Sequence, residues 1–233
     1  MPGFTNSAEG NTMFLKYSAL AGALLAGAAQ AQVGISADAG TTGAGFHLVV
    51  PMESNLNGRF GVNAFQHDFD KSSNQVHYDI KGKLRTVDVL FDWYLREGSA
   101  FHLTGGLVYN GNRFDATAKA SQLGKFTLNG KTYSTADVGI LGGRIDYRKA
   151  APYLGIGWGN ALATNSHWSF NTDLGAFFQG NPNVKLGSTG CTGAKAVCNA
   201  VASDVEAERL GLQDDIDGFK VYPVLRASLT YRF

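Results

Sequence analysis

Beyond residue 31 this 233-residue chain has no apolar run near the roughly 18–20 residues that a helix needs to cross a bilayer, which excludes an inner-membrane helix bundle. An excess of charge of one sign is missing too. The net charge is +1, so there is no electrostatic footprint for nucleic acid and no polybasic anchor for acidic lipid. Only two cysteines occur, Cys191 and Cys198, seven positions apart in a Gly/Ser/Thr-rich stretch without a nearby histidine. Two thiols alone are a poor metal site, and in an oxidising compartment they are expected to form a local disulfide. No repeat of 20–50 residues is visible, which argues against solenoids and propellers.

What is present begins with an export signal. "MFLKYSALAGALLAGAAQA" opens at Met13, carries one cation at Lys16, and runs apolar from Ala19 to Ala29. Ala29-Gln30-Ala31 fits the small-x-small cleavage rule, so residues 1–31 read as a signal peptide and Gln32 as the start of the mature chain. Residues 1–12 lengthen the leader awkwardly, which points to Met13 as the initiator. No cysteine sits at the cleavage site, so lipoprotein processing is not expected.

From residue 32 onward, segment after segment alternates with period two, the signature of strands with one apolar face. In "VDVLFDWYL", Val87, Val89, Phe91, Trp93 and Leu95 oppose Asp88, Leu90, Asp92 and Tyr94. In "WSFNTDLGAFFQG", Trp168, Phe170, Leu174, Ala176 and Phe178 oppose Ser169, Asn171, Asp173 and Gln179. A soluble sandwich alternates as well. Two further features favour a membrane barrel: the polar faces hold charges and many glycines, which suits a narrow lumen, and aromatics gather at strand ends. Phe60, Trp93, Tyr94, Phe101, Trp158, Trp168, Tyr231 and Phe233 would form the girdle of a membrane interface.

Eight strands are expected near 33–40, 44–51, 58–69, 76–95, 101–117, 143–159, 167–187 and 219–233. Connections 52–57, 96–100 and 160–166 are short, whereas 118–142 and 188–218 are long, the outer-membrane pattern with both termini periplasmic. "RIDYRK" (144–149) breaks the phase of the strand after it and predicts a bulge near Ala150–Pro152.

With "GTTGAG", "GLVYNGN", "PYLGIGWGN", "LQDDIDGFKVYPV" and the final "SLTYRF" in view, the chain resembles small eight-stranded proteobacterial outer-membrane β-barrels, in the broad OmpA-like and OmpW-like grouping. The resemblance covers nearly the whole chain after residue 31 and speaks to architecture rather than activity. It implies that Leu225, Ala227, Leu229, Tyr231 and Phe233 form the terminal signal read by the barrel-assembly machinery. It also implies outer-membrane lipid and lipopolysaccharide as surroundings, with no partner subunit, nucleic acid or cofactor.

On the inner face the expected ionisable network is Asp38, Arg59, Asp88, Asp92, His102, Asp173, Arg226 and Arg232, paired because isolated buried charge is costly. "FQHDFD" puts His67, Asp68 and Asp70 near Ser72, Ser73 and His77, the residue types a lipid-modifying enzyme would use, but with no specific spacing. Loop 118–142 carries Asn129-Gly130, a type I′ hairpin signal. In loop 188–218, Ser203 and Glu206 read as the capping box of a short helix ending at Gly218. Val201, Val205, Leu212, Ile216 and Phe219 would share one helical face. The acids there (Asp204, Glu206, Glu208, Asp214, Asp215, Asp217) read as a solvated face or as a place to share divalent cations with lipopolysaccharide. Glycine pairs match no phosphate-binding fingerprint and are expected to allow close packing inside the barrel.

The reading is an all-β, eight-stranded antiparallel transmembrane β-barrel with a short helix in an extracellular loop, and a structural or surface-interaction role for its long loops. The alternatives are a small channel or carrier for an apolar or small solute, and a lipid A-modifying enzyme.

Overall fold

The computed structural model of the chain describes residues 32–73, 76–120, 124–163 and 166–233, giving the backbone alone at 71–73, 76–78, 119 and 120. The expected leader, 1–31, lies outside the described residues. In chain order the strands are β1 (Gly34–Gly40), β2 (Gly43–Glu53), β3 (Leu56–Ser73), β4 (Val76–Tyr94), β5 (Phe101–Asn110), β6 (Arg113–Ala120), β7 (Lys125–Leu128) and β8 (Lys131–Ser134). A one-turn helix α1 (Thr135–Val138) precedes β9 (Ile140–Asp146), β10 (Ala150–Trp158), β11 (Trp168–Phe178) and β12 (Asn183–Thr189). Helix α2 (Lys195–Ile216) and β13 (Val221–Arg232) follow.

Eight of these strands form a closed antiparallel ring in the order β4-β3-β2-β1-β13-β11-β10-β5, with β5 returning to β4. The first and last strands close it, in register from Gly34↔Arg232 to Gly40↔Arg226. Closure is what alternation demands in lipid, because an open edge there would leave backbone groups without partners. Leu225, Ala227, Leu229 and Phe233 are exposed along the outside of β13, while Val224, Arg226, Ser228, Thr230 and Arg232 point in.

The end that holds Gln32 and Phe233 is termed the lower end. Trp93, Trp158, Trp168 and Phe233 are exposed around it. Phe101 packs edge-on against Trp158, and Trp168 and Phe233 each pack edge-on against Tyr231. Tyr94 does not join this belt. It follows the parity of Asp88 and Asp92 and is buried inside, where Asn57 Nδ2 donates to its hydroxyl at 3.4 Å.

Three of the expected barrel strands are each divided at the upper rim. The 101–117 segment breaks at Gly111 and Asn112, 143–159 at 147–149, and 167–187 at 179–182. Beyond each break the chain leaves the ring and adds to the projecting β3–β4 hairpin, in the order β4-β6-β9-β12. Register explains the change of partner: β4 pairs with β5 from Thr86 to Tyr94 and with β6 from Val76 to Lys83. Alternation resumes beyond the break with its apolar row on the opposite parity, odd in β5 (Leu103, Leu107, Tyr109) and even in β6 (Phe114, Ala116, Ala118). The bulge expected at Ala150–Pro152 is absent, since β10 pairs with β5 without a shift from Ala150↔Tyr109 onward. The phase change in the sequence marks the exit from the ring instead.

This outer sheet carries a small core of its own. Ala118, Phe126, Leu128, Val138, Val201 and Val205 are buried together, bringing β6, the β7–β8 hairpin, α1 and α2 onto one face. The hairpin turns at Asn129 and Gly130, whose φ values of 48° and 74° are those a type I′ turn needs. Helix α2 is longer than expected. It begins at Lys195, so Ser203 lies inside it and caps nothing, and the capping box of this region is Ser134 with Asp137 on α1. The Cys191–Cys198 disulfide ties the first turn of α2 to the preceding segment. Of the expected helical face, Val201 and Val205 are buried, whereas Leu212 and Phe219 are exposed.

Candidate functional site

Inside the ring the side chains fill the lumen. Toward the top an apolar cluster joins Leu90, Val108, Ala151, Tyr153, Phe177 and Val224. At the bottom the segment after β10 folds back, burying Ala161 and Leu162 against Val49, and Ser36 Oγ lies 2.6 Å from Thr230 Oγ1. A belt of buried charge is interleaved with the apolar cluster, since Asp88 lies above Leu90 on β4 and Asp92 below it.

The belt has two halves. In one, the Arg59 guanidinium bridges two carboxylates: Nε lies 2.7 Å from Asp92 Oδ2, Nη1 donates to Asp173 Oδ2 at 2.8 Å, and Nη2 donates to Asp92 Oδ1 and Asp173 Oδ1 at 2.9 Å each. Thr104 Oγ1 donates to Asp92 Oδ1 at 2.8 Å, and His102 Nε2 lies 3.4 Å from Asp173 Oδ1. In the other half, Arg226 Nη2 donates to Asp88 Oδ2 at 2.9 Å and its Nε lies 3.5 Å from Asp38 Oδ1. His47 stands between Asp38 and Asp88, each ring nitrogen 2.7 Å from a carboxylate oxygen. With a proton on both nitrogens the ring donates twice and links β2 to its neighbour β1 and, across β3, to β4.

Seven of the eight expected inner-face residues thus meet in the belt. Arg232 is buried but sits at the lower end, where Nη1 donates to Gln32 Oε1 at 3.1 Å. His47 was missed by the sequence reading, although "GFHLVV" carries the signal: it alternates with exposed Phe46 and Leu48 and shares the face of Gly45 and Val49. A lone polar residue in an apolar run marks the lumen only once the strand's outer face is known to be the apolar one.

Asp92, His102 and Asp173 place three potential ligand atoms within 4.8 Å of one another. They do not fit a metal centre. The Arg59 guanidinium already bridges the two carboxylates, and a divalent cation would have to displace it. The belt pairs its carboxylates with Arg59, Arg226 and His47, so its charges are neutralised internally.

Glycines make room for the belt. A Cβ on Gly61 would lie 2.2 Å from His47 Cδ2, and one on Gly157 would lie 2.1 Å from His102 Nε2. At Gly175 it would meet the Tyr153 hydroxyl oxygen at 2.4 Å. The glycine rows are therefore cavities shaped for inner-face rings on neighbouring strands.

His67 is exposed on the β3–β4 hairpin, its ring against Phe65 and Phe69. The backbone register places His67 opposite Gly82 and His77 opposite Ser72, five pairs further along, or about 17 Å at strand spacing. The two histidines are not brought together. The side chains of Ser72, Ser73 and His77 lie outside the described residues.

The acids of α2 do not form one solvated face. Asp204 is buried against the hairpin. Tyr133 donates its hydroxyl proton to it, and Asn129 Nδ2 and Lys131 Nζ each donate at 3.0 Å. These bonds hold the Asp204 carboxyl down at about 2. A folded-state value below the usual carboxylate range stabilises the docked helix above about pH 4 and is lost as pH falls toward 2. Pepsin cleavage within α2 is therefore expected to rise between about pH 4 and pH 2, with the ring still intact by gel mobility. Asp204→Asn should abolish that pH dependence, and an unchanged profile would contradict this account of docking. Glu206 pairs with Arg209 and Asp217 with Lys220, each at under 3 Å.

No protein-family model and no curated protein matches the chain. Solved structures do. The crystal structure of Acinetobacter baumannii CarO is 25% identical with a TM-score of 0.55, covering 87% of this chain and 98% of that one. Acinetobacter baumannii CarO2 is 21% identical with a TM-score of 0.54, covering 88% and 100%. A major outer membrane protein from Thermus thermophilus is 17% identical with a TM-score of 0.45, covering 87% and 99%. The chain has the fold of an outer-membrane β-barrel, and the likeness to CarO supports a place in the bacterial outer membrane.

Proposed function

We propose that the protein is a closed outer-membrane barrel whose task is to anchor and present the folded module on its upper rim for interaction at the cell surface. The observation that carries this is the filled lumen: an apolar cluster, an interleaved ion-paired belt and an infolded lower segment occupy the inside of an eight-stranded ring. A ring of this size leaves room for side chains and little else. In this reading both termini are periplasmic and the chain works as a monomer, the ring within the membrane having no open edge. The row Leu225, Ala227, Leu229, Tyr231 and Phe233 serves as the assembly signal. Affinity with the OmpA-like and OmpW-like barrels forms part of the same proposal, supported by the eight-strand ring and the short lower turns.

Lipopolysaccharide is the proposed neighbour of the outer sheet. On β3 and β4 the lipid-facing parity of Val62, Val87 and Val89 continues upward into Lys83 and Arg85. The same face of the added strands carries Arg113 and Arg144, both paired with Asp115, together with Asp146 and Lys185. Lys83, Arg85 and Lys185, which form no ion pair among the described residues, are the cations offered to headgroup phosphates.

Orientation is tested with single-cysteine variants and a membrane-impermeant maleimide. Asp215→Cys on α2 should label on intact cells, and Glu97→Cys in the β4–β5 turn only after the outer membrane is broken. The reverse pattern would overturn the proposal.

A further inference from the structure

Above the rim the sheet reverses its polarity. The odd residues of β3 face the lumen as Arg59 and Asn63, and higher up they become Phe65, His67 and Phe69. Cross-strand partners share a face, so one row on this inner side runs Phe69, Ile80, Ala116, Gly143 and Leu186, from β3 to β12. The row below it begins His67, Gly82 and Phe114. Between the two rows, on the outer side of the sheet, lie Lys81, Asp115, Arg144 and Lys185. That charge keeps this part of the sheet out of hydrocarbon, so an apolar inner face here calls for an occupant other than the bilayer core.

Along the upper row lies a slot of about 340 Å³. It crosses from β4 to β12, three strand spacings or about 14 Å. Its floor is low at Ala116 and Gly143, and Phe114, Leu141 and Leu212 stand around it. Arg144 and Lys185 border it with their backbone, since their side chains belong to the outer side. Helix α2 roofs the β12 end, where Val184 N donates to Gln213 Oε1 at 3.1 Å and Gln213 Nε2 donates to Pro182 O at 2.7 Å. Val184 is shut away there at 3% exposed, whereas Ile80, Phe114 and Leu212 are 36%, 38% and 36% exposed, so the slot opens toward β4. A roofed slot of this length admits an extended hydrocarbon chain and is too narrow for a second folded surface. The polar group at its open end is His67, whose ring lies between Phe65 and Phe69 with centroids at 6.2 and 4.2 Å. A histidine ring always has at least one N–H to donate.

We propose that this slot binds a free fatty acid, an unbranched aliphatic chain with a carboxylate head. The tail lies along Ile80, Ala116, Gly143 and Leu186 beneath α2, and the carboxylate accepts from His67 at the open end. That the ligand comes from the external medium rests on the orientation proposed above; the binding itself does not.

The test is a methyl NMR titration of the full chain in lipid nanodiscs, with Ile and Leu methyl groups labelled and dodecanoate and butanoate as probes. Dodecanoate should give saturating shifts at Ile80, Leu141, Leu186 and Leu212. Leu107 and Leu154, exposed on the outside of the ring, report partition into nanodisc lipid and should change without saturating. Each methylene withdrawn from water adds about fourfold in affinity, so butanoate should bind about a hundredfold more weakly or worse. Ala116→Leu takes the space of about two methylenes and should weaken dodecanoate about tenfold. His67→Phe keeps a ring between Phe65 and Phe69 but no donor, and should weaken it severalfold. Slot shifts that only track Leu107 and Leu154, equal binding of both probes, or unchanged affinity in either folded variant would overturn the proposal. So would slot methyls in contact with nanodisc lipid, or with a second copy, before dodecanoate is added. If Ala116→Leu does not fold, unchanged affinity in Leu212→Asp, at an exposed position on α2, overturns it alone. A nanodisc presents both sides of the protein to the probe, so failure here leaves the proposed orientation standing.

Discussion

Arg59→Met is expected to lower the unfolding free energy of the barrel in lipid vesicles by about 3–5 kcal/mol, the cost of leaving buried charge without its partner. The guanidinium bonds both Asp92 and Asp173, and without it two buried carboxylates face each other with no bridging cation. Arg59→Lys keeps the charge but not the planar fork that reaches both acids, so it should recover only part of the loss. Arg59→Met combined with Asp92→Asn and Asp173→Asn should recover most of it, because no unpaired charge then remains. Urea-unfolding midpoints measured by gel mobility distinguish these cases. A midpoint for Arg59→Met equal to that of the unaltered protein would show that the belt is wet and open.

The second large effect is steric. Gly157→Val places a Cβ 2.1 Å from His102 Nε2 and 2.8 Å from Asp173 Oδ1, two groups held in the belt by their other contacts. Overpacking of this kind costs about 1–3 kcal/mol, and here it also disturbs an ion pair. Gly142→Ala on the outer sheet is the control, because a Cβ there meets nothing within 4 Å. The same urea titration should separate the two variants. Equal midpoints would mean that the barrel glycines serve strand curvature and not the rings opposite them.

Much of the ring was legible because lipid imposes one rule on every strand. Val87 to Leu95 alternates cleanly since one face meets hydrocarbon and the other a crowded lumen, and that parity alone places Asp88 and Asp92 inside. The belt's pairing was not legible, because which carboxylate meets Arg59 depends on register between β3 and β11, strands that are not adjacent in the ring. The outer sheet was hidden for a related reason. Strands β6, β9 and β12 alternate like the barrel strands beside them in sequence, so a shift of phase at Gly111-Asn112 or Arg148-Lys149 reads as a bulge in one long strand as readily as a change of partner. The extent of α2 was missed because its first turns, from Lys195, lack a side-chain cap and follow a disulfide-bound segment that reads as loop.

The central claim is that this barrel is closed. Folded protein inserted into planar bilayers, with insertion verified independently by gel mobility of protein recovered from the same vesicles, tests it most directly. The account predicts a silent bilayer across the applied voltage range. Reproducible unitary conductance steps from the fully folded protein would contradict it.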